Sequence, residues 1–348
     1  MEFPVAGSPH LSGQNDVQRI MAQVMLALLP GIAALWWYFG WGVIVNLGLT
    51  SLTAVVCEWL VIRLRGRDLR PVITDLSGLL TAWLLAVALP PLLPWWQTVI
   101  GTAFAIVIAK QLFGGLGQNP FNPAMAGYAL LLVSFPANMT QWLEPSVLSG
   151  HLVSLNEAWQ AIFPGIPPHP QGWDAITSAT PLDHLRTELS RDHMISEIRR
   201  EPLWGDFGGK GWESVGTWYL IGGLFLLWRG VIGWRIPAGM LGSLFVTAGI
   251  FWLIDPEIHP SPLLHLFSGA TLLGAFFIAT DPVTASTTPR GRLIYGALIG
   301  VLVYVIRTWG GYPDAVAFSV LLMNMAAPTI DHYTQPRVFG AREGDDGL

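Results

Sequence analysis

Ten apolar stretches divide this sequence and constrain its fold more than any other feature. A helix that spans a bilayer needs about 20 mostly apolar residues. The stretches approach that length, although some are shorter and are interrupted by glycine or proline. They lie near residues 20–39, 41–62, 73–90, 95–113, 121–136, 214–229, 236–254, 262–280, 292–308 and 313–330. The sequence therefore predicts an all-α integral membrane protein with about ten transmembrane helices.

Composition excludes several other classes of protein. Hydrophobic residues make up 52% of the chain and charged residues only 12%, whereas a soluble domain carries about 25% charged residues. The 18 lysines and arginines form no basic patch with interleaved aromatics, so nucleic-acid binding has no support. Cys57 is the only cysteine, which excludes an internal disulfide and a cysteine-ligated cluster held by this chain alone. His184 and His193 match no familiar ligand spacing, and we expect no metal site.

Positive charge is distributed unequally between the two sets of short connecting segments. If the N-terminus is cytoplasmic, only Arg307 lies in the short segments on the opposite side. Twelve basic residues then lie in or beside the cytoplasmic segments: Arg19, Arg63, Arg65, Arg67, Arg70, Lys110, Arg229, Arg235, Arg290, Arg292, Arg337 and Arg342. Because positive residues are retained on the cytoplasmic side, both termini are predicted to lie inside. Residues 1–15 contain no signal peptide, so the first apolar run is expected to be retained as a span.

This topology divides the chain into five parts. Residues 1–19 form a cytoplasmic N-terminus, 20–136 a first set of five helices, 214–331 a second set of five, and 332–348 a cytoplasmic tail. The intervening residues 137–213 are too long for a passive turn and too polar for lipid. They are predicted to form a small external loop domain between the fifth and sixth helices.

An internal repeat relates the two sets of helices. Residues 77–91 match residues 268–282 with one constant separation, 268 − 77 = 191 and 282 − 91 = 191, and the same shift persists further along the chain. Because five spans is an odd number, the second set must enter the membrane from the opposite side, which predicts an inverted repeat. Chance similarity between apolar helices is the alternative explanation.

Two interrupted stretches are candidates for a ligand site near the repeat interface. In residues 113–123, Asn119 and Asn122 each precede a proline, which disfavours helical geometry. Residues 279–289 carry a run of hydroxyl side chains that begins after Asp281. Both stretches are predicted to face the cytoplasm. Each is as typical of a cytoplasmic turn as of a ligand site.

The external segment contains one unusual string, Asp174-Ala-Ile-Thr-Ser-Ala-Thr-Pro-Leu182. Considered locally, its acidic and hydroxyl side chains are typical of a turn before Pro181. No base stands at a spacing that would make Ser178 a hydrolytic nucleophile, and no G-x-S-x-G surrounds it. The string nevertheless resembles the flavinylation motif, approximately Asp-x-x-Ser/Thr-Gly-Ala-Thr, of proteins that carry FMN on a threonine. Asp174, Thr177, Ala179 and Thr180 match the motif, and Ser178 stands where the family usually has glycine.

The wider chain resembles the RnfD family, the membrane component of the bacterial Rnf electron-transport complex, which is similar to the NqrB component of the sodium-pumping NADH:quinone reductase. The resemblance covers about residues 17–337 and is carried by the stretches 114–124, 174–182, 279–284 and 325–331. It implies that a separate flavin transferase attaches FMN covalently to Thr180 through a phosphodiester bond. It also implies a second, non-covalent flavin such as riboflavin within the helices, for which Asn119, Asn122 and Asp281 are the candidate residues.

By this resemblance, the chain is expected to be a flavoprotein subunit of a multi-subunit complex in the bacterial inner membrane. That complex moves electrons between ferredoxin and NAD and couples the transfer to translocation of Na⁺ or H⁺. The expected partners are the other subunits of the complex, the flavin transferase and membrane lipid. No G-x-G-x-x-G follows a predicted strand, so NAD is expected to bind another subunit.

Three alternatives remain open from the sequence. A stand-alone secondary transporter would also have an inverted repeat. Such a transporter is expected to place ionisable residues at mid-span. The nearest candidates here are Glu58 and Lys110, and both lie close to span ends. A di-haem cytochrome needs facing histidine pairs, and only His265 lies clearly within a span. The third alternative is the quinone-reducing counterpart of the Rnf-type subunit. No physical argument from the sequence distinguishes the two roles, and the choice between them rests on resemblance alone.

Overall fold

The computed structural model describes residues 17–66, 74–312 and 315–335. Most of the predicted N-terminal segment 1–19 and of the tail 332–348 therefore lies outside the described residues. So do four of the basic residues in the charge-bias argument: Arg67, Arg70, Arg337 and Arg342.

Helices dominate the first part of the chain. It contains α1 Val17–Phe39, α2 Gly42–Leu64, α3 Ser77–Ala86, α4 Trp95–Ala103 with a π-helical continuation Phe104–Gln111, and α5 Pro123–Ser134. Asn122 begins α5 because its side-chain oxygen accepts the N–H of Met125 and Pro123 occupies the first turn.

Short elements fill the segment between α5 and the next long helix. They are α6 Pro136–Thr140, β1 Trp142–Leu143, α7 Ser146–Ser149, α8 Leu155–Ile162, a 3₁₀ turn Trp173–Ala175, β2 Thr177–Ser178, α9 Pro181–Ser190 and α10 Ile195–Ile198. The two strands pair antiparallel, with Trp142 opposite Ser178. Leu182, Leu185, Ile198 and Trp204 form a small apolar cluster with Leu264, which holds α9 against the helical body.

The last part of the chain is again helical. It contains α11 Trp212–Trp228, α12 Arg235–Ile254, α13 Pro262–Phe267, α14 Thr271–Leu273 with a π-helical continuation Gly274–Ile278, α15 Pro289–Trp309 and α16 Val316–Thr334.

Four of these helices are long and apolar enough to cross a bilayer by themselves: α1, α2, α12 and α15. The apolar helices α3 and α5 are shorter. Large apolar side chains such as Leu26, Leu52 and Val246 are exposed on the outer surfaces of the long helices, which suits contact with lipid and not with water. The chain is therefore an all-α, multi-pass membrane protein.

Several helices are shorter or more broken than the apolar pattern predicts. The stretch 262–280 is not continuous, because the chain leaves helical geometry at Ser268 and Gly269 has a left-handed φ of 62°. Within the stretch 73–90, helix α3 covers ten of the described residues and follows Leu76 with its left-handed φ of 61°. Hydrophobicity identifies a segment that is buried or faces lipid, but it does not reveal where the backbone turns inside that segment.

Small residues allow the long helices to approach closely. A Cβ atom added to Gly222 on α11 would lie 2.1 Å from the backbone oxygen of Ala27 on α1. A Cβ added to Gly300 on α15 would lie 2.2 Å from the backbone oxygen of Met240 on α12. Lipid is as apolar as the surface of a membrane helix, so apolar burial alone does not drive two helices together. Membrane helices gain packing energy instead through close approach of their backbones.

Candidate functional site

Thr180 lies where β2 ends and α9 begins. It is the N-cap of α9, and its side-chain oxygen accepts the backbone N–H of Asp183 at 3.3 Å. Pro181 occupies the first turn of α9. An N–H at this position would have no partner within the helix, so proline loses no hydrogen bond there. The N-terminus of a helix of this length attracts negative charge, because its first N–H groups have no partner within the helix. A phosphate joined to the Thr180 oxygen would therefore lie at a favourable end of α9.

The other motif residues build the turn that presents Thr180. The Thr177 hydroxyl donates a hydrogen bond to the backbone oxygen of Trp173 at 3.0 Å, and Ser178 pairs with Trp142 in the two-stranded sheet. Ser178 has no left-handed φ, so serine in place of the usual glycine introduces no backbone strain. Ala179 is exposed. Asp174 belongs to the 3₁₀ turn, and its side chain lies outside the described part of the structure.

An apolar cavity opens beside Thr180. Its volume is about 110 Å³, and its walls come from the segment after α5 and from α1, α5, α9, α11 and α16. Aromatic side chains line it, namely Tyr128, Trp142, Trp212 and Tyr219. The ring centroids of Trp142 and Trp212 lie 4.9 Å apart, and the ring planes are inclined at 64°. An apolar, aromatic cavity with a few polar groups is the usual environment for a flat cofactor.

Tyr219 lines this cavity, and its hydroxyl is buried within the protein. The side chain is buried, and no hydrogen-bond partner for its oxygen lies among the described residues. Leaving a buried hydroxyl unsatisfied costs about 1–3 kcal/mol. Nothing in the sequence distinguishes Tyr219 from the other tyrosines, because its significance comes from its position in the cavity.

A second cavity brings together the three residues predicted for a second flavin. Asn119, Asn122 and Asp281 all line it, although they come from two distant stretches of the chain. Its volume is about 120 Å³. Residues from both sets of helices contribute, including Val24 of α1 and Phe277 of the π-helical segment after α14. The two interrupted stretches thus contribute to one cavity, and the ligand remains a prediction.

The polar residues of this second cavity are held by specific hydrogen bonds. The Asn122 side chain caps α5 and its Nδ2 lies 3.4 Å from the backbone oxygen of Ile278. Asp281 accepts hydrogen bonds from the N–H of Val283 at 3.2 Å and from the Thr284 hydroxyl at 3.1 Å. Asn119 donates to the backbone oxygen of Phe121 at 3.0 Å. Each candidate side chain therefore keeps a fixed position beside the cavity.

A buried ion pair borders the same cavity, and the sequence did not predict it. Lys110 lines the cavity, and its ammonium nitrogen lies 2.8 Å from Oε1 of Glu58 and 2.7 Å from the Ser77 hydroxyl. Gln111 donates to the same carboxylate oxygen at 2.9 Å. Only 2% of Lys110 and 4% of Glu58 is exposed. The sequence carried one signal for this pair, which was a single acidic and a single basic residue within two apolar stretches. An ionisable side chain inside a membrane is a functional candidate by default.

The external segment contains further pairs that hold α9. Glu188 on α9 accepts a hydrogen bond from Arg191 at 2.8 Å and lies 2.5 Å from Nδ1 of His193. The hydrogen bond with His193 lowers the pKa of Glu188, although desolvation opposes the shift. His184, also on α9, lies 2.6 Å from Glu201. Among the described residues, no three His, Cys, Asp or Glu side chains are grouped to hold a metal ion.

Comparison with known proteins adds a family to this geometry. A model of the NQR2, RnfD, RnfE family matches residues 4–340. In Aeromonas hydrophila subsp. hydrophila, the protein named as the D subunit of an ion-translocating oxidoreductase complex is 53% identical over 347 residues, which cover 98% of this chain and 99% of that protein. The protein of the same name from Yersinia pestis is 52% identical, over 98% of this chain and 99% of its own length. That from Salmonella typhimurium is 51% identical, over 99% of this chain and all of its own length.

Proposed function

This chain belongs to the NQR2, RnfD, RnfE family, and we propose from this that it is the flavin-carrying membrane subunit of an Rnf-type ion-translocating oxidoreductase complex. The complex moves electrons between ferredoxin and NAD and couples this electron transfer to the transport of Na⁺ or H⁺. The relatives are named as D subunits of an ion-translocating oxidoreductase complex, which supports a subunit role in a redox-driven ion pump. The other subunits of the complex are its partners, and the chain does not complete the reaction alone.

The first part of the proposal is a covalent FMN on Thr180. The observation that carries it is the position of the Thr180 hydroxyl at the N-cap of α9 and at the wall of an aromatic cavity. The threonine oxygen displaces the leaving group of an activated flavin phosphate, such as the nucleoside monophosphate of a flavin dinucleotide, and the hydroxyl proton is lost. The N-terminus of α9 stabilises the charge of the phosphate, while the aromatic walls of the cavity suit the flat ring.

The residues around the cavity fit the group chemically as well. Trp142 and Trp212 supply apolar ring surfaces, and Tyr128 adds a third aromatic side chain to the lining. When bound, FMN supplies the electron-transfer chemistry, and the protein sets its position and surroundings. The covalent link retains the cofactor at a site open to the outside, where a free FMN would be lost to the surroundings.

The second part is a non-covalent flavin, such as riboflavin, in the cavity lined by Asn119, Asn122 and Asp281. The amide groups offer donors and acceptors for the polar edge of a flavin ring. Phe277 and Leu84 supply apolar walls. The two cavities have neighbouring walls, because Ala124 lines the second and Met125 lines the first. This arrangement would place two flavins in sequence within one chain.

The third part is the inverted repeat of two five-span units. Corresponding helices start at nearly constant separations: α12 begins 193 residues after α2 (235 − 42), and α11 begins 195 residues after α1 (212 − 17). The pairs α3 with α14, α4 with α15, and α5 with α16 have separations of 194 (271 − 77), 194 (289 − 95) and 193 (316 − 123). In this topology both termini are cytoplasmic, and residues 137–213 face the periplasm.

Flavin attachment is tested by coexpressing the full chain with a flavin transferase and looking for flavin fluorescence in the denatured band on an SDS gel. The native chain is expected to fluoresce, Thr180→Val to be dark, and Thr180→Ser to retain fluorescence because it keeps the hydroxyl. Thr140→Val is the matched control, since Thr140 lines the same cavity. A dark native band, with a transferase that labels another substrate, would refute the covalent site and return the secondary transporter to first place.

Topology is tested separately with an impermeant thiol reagent on intact spheroplasts. Cys57→Ala gives a background without native thiols, and single cysteines are introduced as Ser149→Cys and Arg229→Cys. Only the Ser149→Cys variant is expected to be labelled. Labelling of Arg229→Cys from outside would overturn the proposed orientation.

A further inference from the structure

Helix α8, in the segment between α5 and α11, exposes large apolar side chains along one flank. Leu155 and Trp159 are 51% and 55% exposed. They stand about one helical turn apart, so their side chains lie on the same side of α8. The ring of Phe163 continues this surface, with its centroid 4.2 Å from that of Trp159. An exposed group of neighbouring apolar side chains is typical of a surface that binds a protein or a membrane.

The remaining sides of α8 have different surroundings. One side is buried in the main apolar core of the protein through Ala158, Ala161 and Ile162. Because a helix turns about 100° per residue, Glu157 lies on the side roughly opposite Trp159. The Glu157 carboxylate accepts the backbone N–H of Ser154 at 2.8 Å and lies 3.5 Å from Nε2 of His151. Helix α8 therefore has a core side, an apolar flank and, opposite that flank, a polar side.

Backbone contacts hold the start of α8 against the ends of two membrane spans. The backbone N–H of Trp41, between α1 and α2, donates to the backbone oxygen of Val153 at 3.1 Å. A Cβ atom added to Gly40 would lie 2.5 Å from the same oxygen. Helix α8 also packs against α2. Trp37, at the end of α1, is exposed, as tryptophans at the boundary between membrane and water are. The apolar flank thus continues the lipid-facing surface at this boundary.

We infer that the apolar flank of α8 inserts into the adjacent lipid leaflet, at the depth where headgroups meet acyl chains. This inference is independent of the proposed flavins. A helix with one apolar and one polar side lies in this plane of a membrane, and a tryptophan ring suits it because the ring is apolar while its N–H is polar. No lysine or arginine occurs between Lys110 and Arg186, so α8 has no basic side chain to attract anionic headgroups. Binding therefore depends on apolar contact.

The test uses the full chain in nanodiscs of phosphatidylcholine, with Cys57→Ala as the background. A bimane fluorophore is attached to Leu155→Cys on the apolar flank. Gln160→Cys is the matched control, because Gln160 is exposed on the same helix but away from this flank. Both native side chains are exposed, so neither label displaces a core residue. Quenching is measured with a lipid that carries a nitroxide near its headgroup and, separately, with iodide in water.

Bimane at position 155 is expected to be quenched several-fold more strongly by the nitroxide lipid than bimane at position 160, and less strongly by iodide. Adding Trp159→Glu should remove this difference, because a carboxylate resists transfer into the apolar layer. Replacing phosphatidylcholine with phosphatidylglycerol should not strengthen the quenching at position 155. Stronger quenching in the anionic lipid would contradict binding by apolar contact.

Two further results would overturn the inference. Equal quenching of the two positions by iodide, without preferential quenching of position 155 by the nitroxide lipid, would show that the flank faces water. The same labelled variants are also measured after copurification with the other subunits of the complex. If the lipid quenching at position 155 disappears there, a neighbouring subunit covers the flank and lipid is not its partner. Persistence of the quenching in the complex is the expected result.

Discussion

The side-chain oxygen of Asn324 accepts a hydrogen bond at 3.0 Å from the backbone N–H of Asn122, which lies 202 residues earlier in the chain. The Nδ2 group of Asn324 donates to the Tyr295 hydroxyl at 2.8 Å and to the backbone oxygen of Thr284 at 3.2 Å. One buried amide on α16 therefore joins the start of α5 to the loop that carries Asp281. Both of these segments line the second cavity.

Asn324→Leu is expected to destabilise the protein and to deplete it of non-covalent flavin. The substitution leaves the Asn122 N–H and the Tyr295 hydroxyl without this partner, and a buried unsatisfied group costs about 1–3 kcal/mol. It also removes the contact that holds the two walls of the cavity together. Thermal unfolding in detergent and extraction of non-covalent flavin measure the two effects.

Asn46→Leu is the control for this variant. Asn46 is also buried and donates to the backbone oxygens of Pro90 and Pro91, but it lines neither cavity. It should lower the unfolding temperature and leave the flavin content per folded protein unchanged. Equal flavin content in the native chain and Asn324→Leu would contradict the role of Asn324 in shaping the cavity.

Lys110 and Glu58 are expected to depend on each other. Lys110→Met leaves the Glu58 carboxylate buried without its cation, and breaking a buried pair from one side costs about 3–5 kcal/mol. Replacing both residues, as Lys110→Met with Glu58→Leu, should cost less than either single change, because no uncompensated charge remains. Thermal unfolding, followed by tryptophan fluorescence, gives the loss of stability for each single variant and for the double variant. Additive losses in the double variant would show that the two charges are not energetically coupled.

The sequence allowed prediction of the residues that depend on local pattern. Asn119 and Asn122 could be singled out because each precedes a proline, and the structure has no helix at either position. Asn119 and Asn122 line one cavity together with Asp281, and a flavin at these residues stays a prediction. The membrane class followed from hydrophobicity, since length and apolar content decide which segments can span a bilayer.

Contacts that depend on how one helix rotates against another could not be predicted in this way. Glu58 and Lys110 lie 52 residues apart, and their pairing depends on which face each helix turns towards the other. The ring of Tyr219 fits its position only because Gly31, on a different helix, leaves space for it. A nearly uniform apolar surface carries little information about rotation, because core and lipid are both apolar.

Acid is expected to loosen α9 through Glu188. The hydrogen bond with His193 lowers the pKa of Glu188 below its ordinary value of 4.5. A carboxyl group with a lowered pKa in the folded state stabilises the fold above its ordinary pKa, and this contribution is lost as the pH falls through the lowered value. Hydrogen exchange of residues 181–190, corrected for intrinsic rates, should therefore accelerate below about pH 4.5.

Glu188→Gln should exchange faster across 181–190 at neutral pH and should lose most of the acid dependence. Glu157→Gln is the matched control, since Glu157 caps α8 by accepting the Ser154 N–H at 2.8 Å. It should accelerate exchange in 155–162 and leave α9 unchanged. Identical exchange in α9 for Glu188→Gln and the native chain would count against this role for Glu188.

Gly222→Ala is expected to force α1 and α11 apart. The added methyl group would lie 2.1 Å from the backbone oxygen of Ala27 and 3.1 Å from Phe277, and backbone cannot yield as a flexible side chain can. Overpacking of this kind costs about 1–3 kcal/mol, measured as a lower unfolding temperature in detergent.

Gly242→Ala on α12 is the control, because no atom lies within 4 Å of its added methyl group. The control should be neutral or more stable by up to about 1 kcal/mol, since alanine favours a helix over glycine. Equal responses of the two variants would show that α1 and α11 do not pack at this glycine.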